Sequence, residues 1–380
     1  MTDAAPLPFS ASLAEYHSLA EQAIAALEAG DESVAWRFKW EHPRFRDQQV
    51  TAVRSARLDL DDAKLLVARI HAFDTWDDLS AFTSSVFHDR SVLRFEMAVD
   101  AIVDGERDTL EALLREDPSL PSARSPRRHH GTLLHYIAAN GVEGMRQRTP
   151  PNAVDIARLL LDTGADPNAL ADMYDAQCTT LSMLVSSGPP AEAGLQLPLA
   201  ELLADRGAAL EAPGSPWNAA PLTALVFGYH DTARALAARD GRPRDIAVAA
   251  GLGLLGETAR LLPSADAERQ RAALLLACMH GHVRVAQLLL DAGVDPSKYN
   301  PEGFHAHSTP LHQAVWANRE DVVRLLVERG APLDVRDLVY DGTPLDWALH
   351  GQRMEIAEYL QHRSESPAEV LRQETGTHVP

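Results

Sequence analysis

Histidine and arginine are the residue types in this chain with most scope for chemistry. Sixteen histidines are spread over 380 residues, with His129-His130 and His305-x-His307 among the close pairs. A His-x-His pair can grip a metal ion, but a zinc site needs three or four converging ligands. Two cysteines, Cys178 and Cys278, are too few for a cysteine zinc site or a disulfide framework. These histidines therefore read as loop residues, with no metal and no cofactor expected. Gly251-Leu252-Gly253-Leu254-Leu255-Gly256 has the lettering of a dinucleotide-binding loop. That loop must follow a strand, whereas Arg244–Ala250 reads as a helix, so the glycines read as a helix turn. No G-x-S-x-G, G-K-[ST] or H-E-x-x-H occurs. Asp61/Asp62 and Asp77/Asp78 fall at helix starts, where acids complement the helix dipole. No catalytic residues are assigned.

Arginine gives a second signal. Residues 124–148 hold Arg124, Arg127, Arg128, Arg146 and Arg148 against Glu143 alone, in a chain of net charge −19. A guanidinium can clasp a carboxylate or phosphate with two parallel bonds. Arg127, Arg128, Arg146 and Arg148 are thus candidate contacts to an anion or partner, against the plainer reading of solvated charges that balance nearby acids. Elsewhere acids dominate, 54 against 35 basic residues. That argues against general nucleic-acid binding and favours a basic or apolar partner. Hydrophobic residues at 46% and charged ones at 23% suit a water-soluble chain with a core. No run reaches the roughly 18–20 apolar residues of a membrane helix. The start of the chain lacks a basic n-region and an apolar stretch, so a reducing, cytoplasmic setting is expected.

The elements that carry these residues are repeated. Segments 131–141, 271–282, 308–319 and 342–352 each run from a small or turn residue through Leu into an alanine-rich stretch. Each precedes a Leu-rich helical phrase, at 154–166, 283–295, 320–332 and 354–363. Thr309-Pro310-Leu311-His312, Thr343-Pro344-Leu345-Asp346 and Thr132-Leu133-Leu134-His135 open three of them. The pattern resembles the ankyrin repeat, a unit of about 33 residues with a T-P-L-H signature. The resemblance implies an all-α solenoid of helix pairs joined by β-hairpin fingers. In this register weaker copies appear at 95–116, 179–210, 220–241 and 244–262, about eight repeats over 93–363. Leu159/Leu160, Leu202/Leu203, Leu288/Leu289 and Leu325/Leu326 would fill the shared core, and Ala138, Ala277 and Ala314 would let inner helices approach. Thr at the first signature position would cap its helix, with Pro at the first turn. His135 and His312 would bond backbone between neighbouring units, as the resemblance implies.

Residues 1–92 lack the signature and are expected to form a helical cap region. The stretch 12–31 reads as one helix, and 61–86 as helix, turn and helix with Thr75 as a cap. Ala63, Lys64, Val67, Ala68, Arg69, Phe73, Trp76 and Leu79 are similar to a segment found ahead of many bacterial ankyrin arrays, which implies a bacterial source. Residues 364–380 read as a polar, disordered tail. Insertions at 142–152 and 189–195 lengthen two helix-to-helix turns and would form a lip along one edge. By the resemblance, Phe227, Leu252, Met279, His280, Trp316 and His350 face a concave groove. The expected function is non-enzymatic binding of another protein across groove and fingers, by a monomer rather than an obligate oligomer. The alternative is an enzyme or small-molecule sensor with its site at the inserted loops.

Overall fold

Eight pairs of short helices follow a cluster of N-terminal helices in the described part of the chain. The computed structural model describes residues 7–211 and 219–364, so the expected tail lies outside them except for Ser364, which ends the last helix. The chain divides into two compact units, 1–220 and 221–380.

The first unit opens with helices Leu13–Glu28, Glu32–Glu41, Val50–Ser55, Leu60–Ile70 and Trp76–Ser85. They enclose a core of their own around Tyr16, Phe38, Leu66, Phe73, Leu79 and Phe82. The expected helix at 12–31 stops at Glu28, because Gly30 turns with positive φ and Asp31 caps the next helix. Thr75 caps its helix as expected, within a capping box closed by Asp78. The helices at 32–41 and 50–55 were not read from the sequence.

Helix pairs then begin. Arg90–Asp104 packs on Arg107–Glu116 and on the short 3-10 helix Leu133–Ala138. That 3-10 turn stands where a full inner helix is expected. Ala139 adopts a left-handed conformation and ends it early, so Val142 and Glu143 fold inward as buried residues. Ala153–Asp162 completes this pair, and Thr180–Leu184 with Gln196–Asp205 forms the next. The 189–195 insertion is not an open loop, since Gly188–Glu192 forms a helical turn. Strands Ala171–Met173 and Ala176–Cys178 pair antiparallel. Among the described residues this is the one finger that forms a two-stranded ladder, fewer than the resemblance implied.

The second unit is more regular. Inner helices Ile246–Gly251, Ala267–Met279, Pro310–Trp316 and Pro344–His350 pack in succession. Outer helices Leu255–Leu261, Val283–Asp291, Glu320–Glu328 and Met354–Ser364 form the row behind them. Ala277, Ala314 and Ala348 are fully buried between inner helices, so backbones approach closely. Leu289 and Leu326 are fully buried, whereas Leu288 and Leu325 are half-buried on the outer row. Thr309 and Thr343 begin their helices in capping boxes with His312 and Asp346, and proline follows at the first turn.

Candidate functional site

Histidine is largely structural in this fold. His135 Nδ1 accepts from the Thr132 amide at 3.1 Å, while Nε2 donates to the Cys178 carbonyl at 3.3 Å. His312 repeats this, with Nδ1 facing the Thr309 hydroxyl at 2.9 Å and Nε2 donating to Gly342 at 3.1 Å. Burial pushes His135 down to about 4, so it stays neutral and can serve as donor and acceptor together. His129, expected in an exposed finger, is buried, and His305 reaches back to donate to the Val226 carbonyl at 2.8 Å. Among the described residues no cluster of histidine, cysteine and acidic groups could hold a metal. Cys178 and Cys278 are buried and not joined in a disulfide, and burial raises the Cys278 thiol.

The arginine-rich stretch changes meaning once folded. Arg127 and Arg146 do converge, but on acids of their own chain. Arg127 is fully buried, with Nη2 3.1 Å from Glu96 and Nε against Glu143. Its Nη1 donates to the His71 carbonyl at 2.7 Å, and its guanidinium lies over the Phe73 and Phe82 rings. Arg146 contacts Glu96 at 2.6 Å, Asp100 at 2.7 Å and Glu143 at 3.4 Å. Burial raises the Glu143 carboxyl, but Arg127, His129 and Arg146 outweigh that and leave it below its usual range. Two arginines and two glutamates thus neutralise one another in the buried interior. Arg127 and Arg146 are consequently not free to meet an anion or partner. Arg148 pairs with Asp104 at 2.8 Å on the surface, and Arg128 lies 3.9 Å from Glu41. The 142–152 loop fills the space beneath itself with Val142, Glu143 and Arg146, so no lip stands over a site there.

The six groove residues lie in the second unit at the ends of its inner helices. Trp316 is 48% exposed and Phe227 42%, both high for aromatic side chains. His350 is exposed, while Leu252, Met279 and His280 are half-buried. The Trp316 ring meets Trp347 edge-on at 6.0 Å and stacks on His350 at 6.4 Å. Trp347 is fixed in turn by donating to Asp337 at 2.9 Å. The buried Asp337 also accepts from the amides of Val339, Tyr340 and Gly342, which shapes the finger that exposes Leu338 and Tyr340. His280 is not free for a partner in the same way, since Nε2 donates to the Leu225 carbonyl at 2.9 Å and burial holds the ring at about 4.

Sequence reasoning missed the residues that follow the left-handed turn position after each inner helix. His282 donates to Gly251 at 2.9 Å, Arg319 to Met279 at 3.2 Å and Arg353 to Trp316 at 3.4 Å. Each basic side chain thus closes an orphan carbonyl at the end of the preceding inner helix. Aligning Gly281, Asn318 and Gln352, which all turn with positive φ, brings these residues into one column. Two of the three side chains in this column, Arg319 and Arg353, are cationic, while burial lowers His282 and keeps it neutral.

Helix pairs stacked in two rows, begun by Thr-Pro capping boxes, define the repeat class. Residues 246–337 match the model for ankyrin repeats in three copies, and residues 129–172 match the single ankyrin repeat. The chain contains ankyrin repeats, a generic protein-interaction module of a family that is generally non-enzymatic. Relatives include mouse ankyrin repeat and SOCS box protein 6, 38% identical over 76 residues, which are 20% of this chain and 18% of that protein. The human protein of that name is also 38% identical, over 20% of this chain and 17% of its own length. An ankyrin repeat-containing protein of Schizosaccharomyces pombe is 37% identical over 22% of this chain and 37% of its own. The chain therefore spans less than two-fifths of each of these relatives. All are eukaryotic and lend no support to a bacterial source. Among the described residues no helix is long and apolar enough to cross a membrane.

Proposed function

We propose that the protein binds another protein through the inner-helix ends of its second unit, with Trp316 as the principal anchor. The observation that carries this is the half-exposed Trp316 ring, held in orientation by Trp347 and His350. A pre-oriented indole loses little entropy on binding and has a large apolar face to bury. Phe227, Met279 and the finger residues Leu338 and Tyr340 extend the apolar contact, and Leu252, His280 and His350 border it. In this reading the helices of 7–86 cap the repeats of 93–363, and the protein works as a monomer. Two buried cysteines that form no disulfide suit a reducing, cytoplasmic setting.

The test is a photo-crosslinking amino acid placed at position 316 of the full chain, in its native host. One protein crosslinked stoichiometrically from position 316, and not from position 148, is the expected result. Equal labelling from both positions, or none from 316, overturns the proposal.

A further inference from the structure

The column of basic residues beside Trp316 narrows the kind of partner. Arg319 spends Nε on the Met279 carbonyl, and Arg353 spends Nη2 on the Trp316 carbonyl. Among the described residues neither has an acidic partner within ion-pair distance, and Arg353 Nε is buried with no hydrogen-bond partner. Arginines on the back of the same repeats are engaged: Arg324 holds Glu320 at 2.6 Å and Arg329 holds Asp291 at 2.7 Å. The nearby acids form no ion pair with either arginine among the described residues. Asp337 is consumed by Trp347 and three amides, and Glu320 is held by Arg324; Asp321 and Glu355 follow Arg319 and Arg353 by two residues in the first turns of the outer helices, with no ion pair to either arginine among the described residues.

We infer that this edge docks an acidic protein segment that carries one bulky apolar side chain. The apolar anchor sits on Trp316, and flanking carboxylates meet the remaining N–H groups of Arg319 and Arg353. This rests on the reading of the face as a protein-binding site. The chemistry follows from geometry. Each guanidinium is already tethered by one bond, so its other donors are pre-set and less entropy is lost when a carboxylate arrives. A basic segment would instead meet two fixed cations beside its anchor. The overall −19 charge opposes this choice only at long range, because salt screens charges beyond roughly 8 Å at physiological ionic strength.

A random linear-peptide display library panned on the immobilised full chain tests this. The expected winners carry an aromatic residue or Leu beside two or more Asp or Glu. Their affinity should fall roughly tenfold or more in an Arg319→Gln/Arg353→Gln variant, which keeps a carbonyl-capping donor but removes charge. It should return in Arg319→Lys/Arg353→Lys and vanish in Trp316→Ala. Winners that need Trp316 but are neutral or basic, or are indifferent to the Gln variant, overturn the acidic assignment while the binding face stands. Winners indifferent to Trp316→Ala, or no winners at all, overturn both.

Discussion

In the first unit Arg127 and Arg146 are drawn inward and paired with Glu96 and Glu143, whereas in the second unit Arg319 and Arg353 stay at helix ends and form no ion pair among the described residues. The difference begins in the backbone. Where the inner helix is cut to a 3-10 turn, the following loop folds down and carries Glu143 and Arg146 into the interior. Where the inner helix is complete, the next turn holds its arginine against the preceding helix end. Guanidiniums in a sequence are therefore not evidence of a site until the acids within their reach are known. The dense cluster is structural, and the sparse column is the one exposed beside an apolar anchor.

This comparison can be broken from its strongest side first. Arg127→Met should leave the buried Glu96 and Glu143 with Arg146 as their one remaining guanidinium, and so one buried carboxylate in excess, at a cost of about 3–5 kcal/mol. Denaturant unfolding checks this, and a variant as stable as the parent would show that the cluster holds nothing together. Acid should act next. His71 and His135 in the first unit and His280 in the second are held at about 4 by burial, against an ordinary 6.5. The unfolded chain binds protons first, so stability is full above pH 6.5 and falls as pH drops toward 4. Glu143 acts with the same sign in a lower window, because its lowered carboxyl gives up its contribution only as pH falls below about 4.5. A melting temperature that stays level from pH 7 to pH 4 would contradict the role of the buried histidines.

Smaller effects belong to the second unit. Gly253 turns with φ +73°, and a Cβ there would meet the His282 ring at 2.7 Å. Gly253→Ala should cost about 1–2 kcal/mol in thermal unfolding from the left-handed backbone alone. His282→Ala should recover only the added part caused by the clash. Trp316→Ala should change stability least, within about 1 kcal/mol, since half of the ring is already exposed. A large destabilisation would make Trp316 a packing residue and remove the case for its binding role.

The repeats were legible because Thr, Pro, Leu, Ala and Gly recur at positions set by backbone geometry, so each copy reinforces the register of the others. Thr75, Thr309 and Thr343 cap as their neighbours dictate, and local rules suffice for them. The fate of Arg127 was not legible, because Glu96 lies 31 residues away and reaches it only through the packing of non-adjacent elements. The truncated inner helix at 133–138 was hidden for a similar reason, since its sequence still fits the repeat. The exposed column was half legible: Trp316 followed from the register, but Arg319 and Arg353 needed the turn residues Asn318 and Gln352 to be recognised as equivalent.

Hydrogen exchange on the full chain, with and without a segment bound through Trp316, tests the central claim most directly. Protection at 279–282, 316–319 and 350–353, with 124–152 unchanged, is the predicted result. Protection centred on 124–152, with the turns of the second unit unaffected, would contradict it.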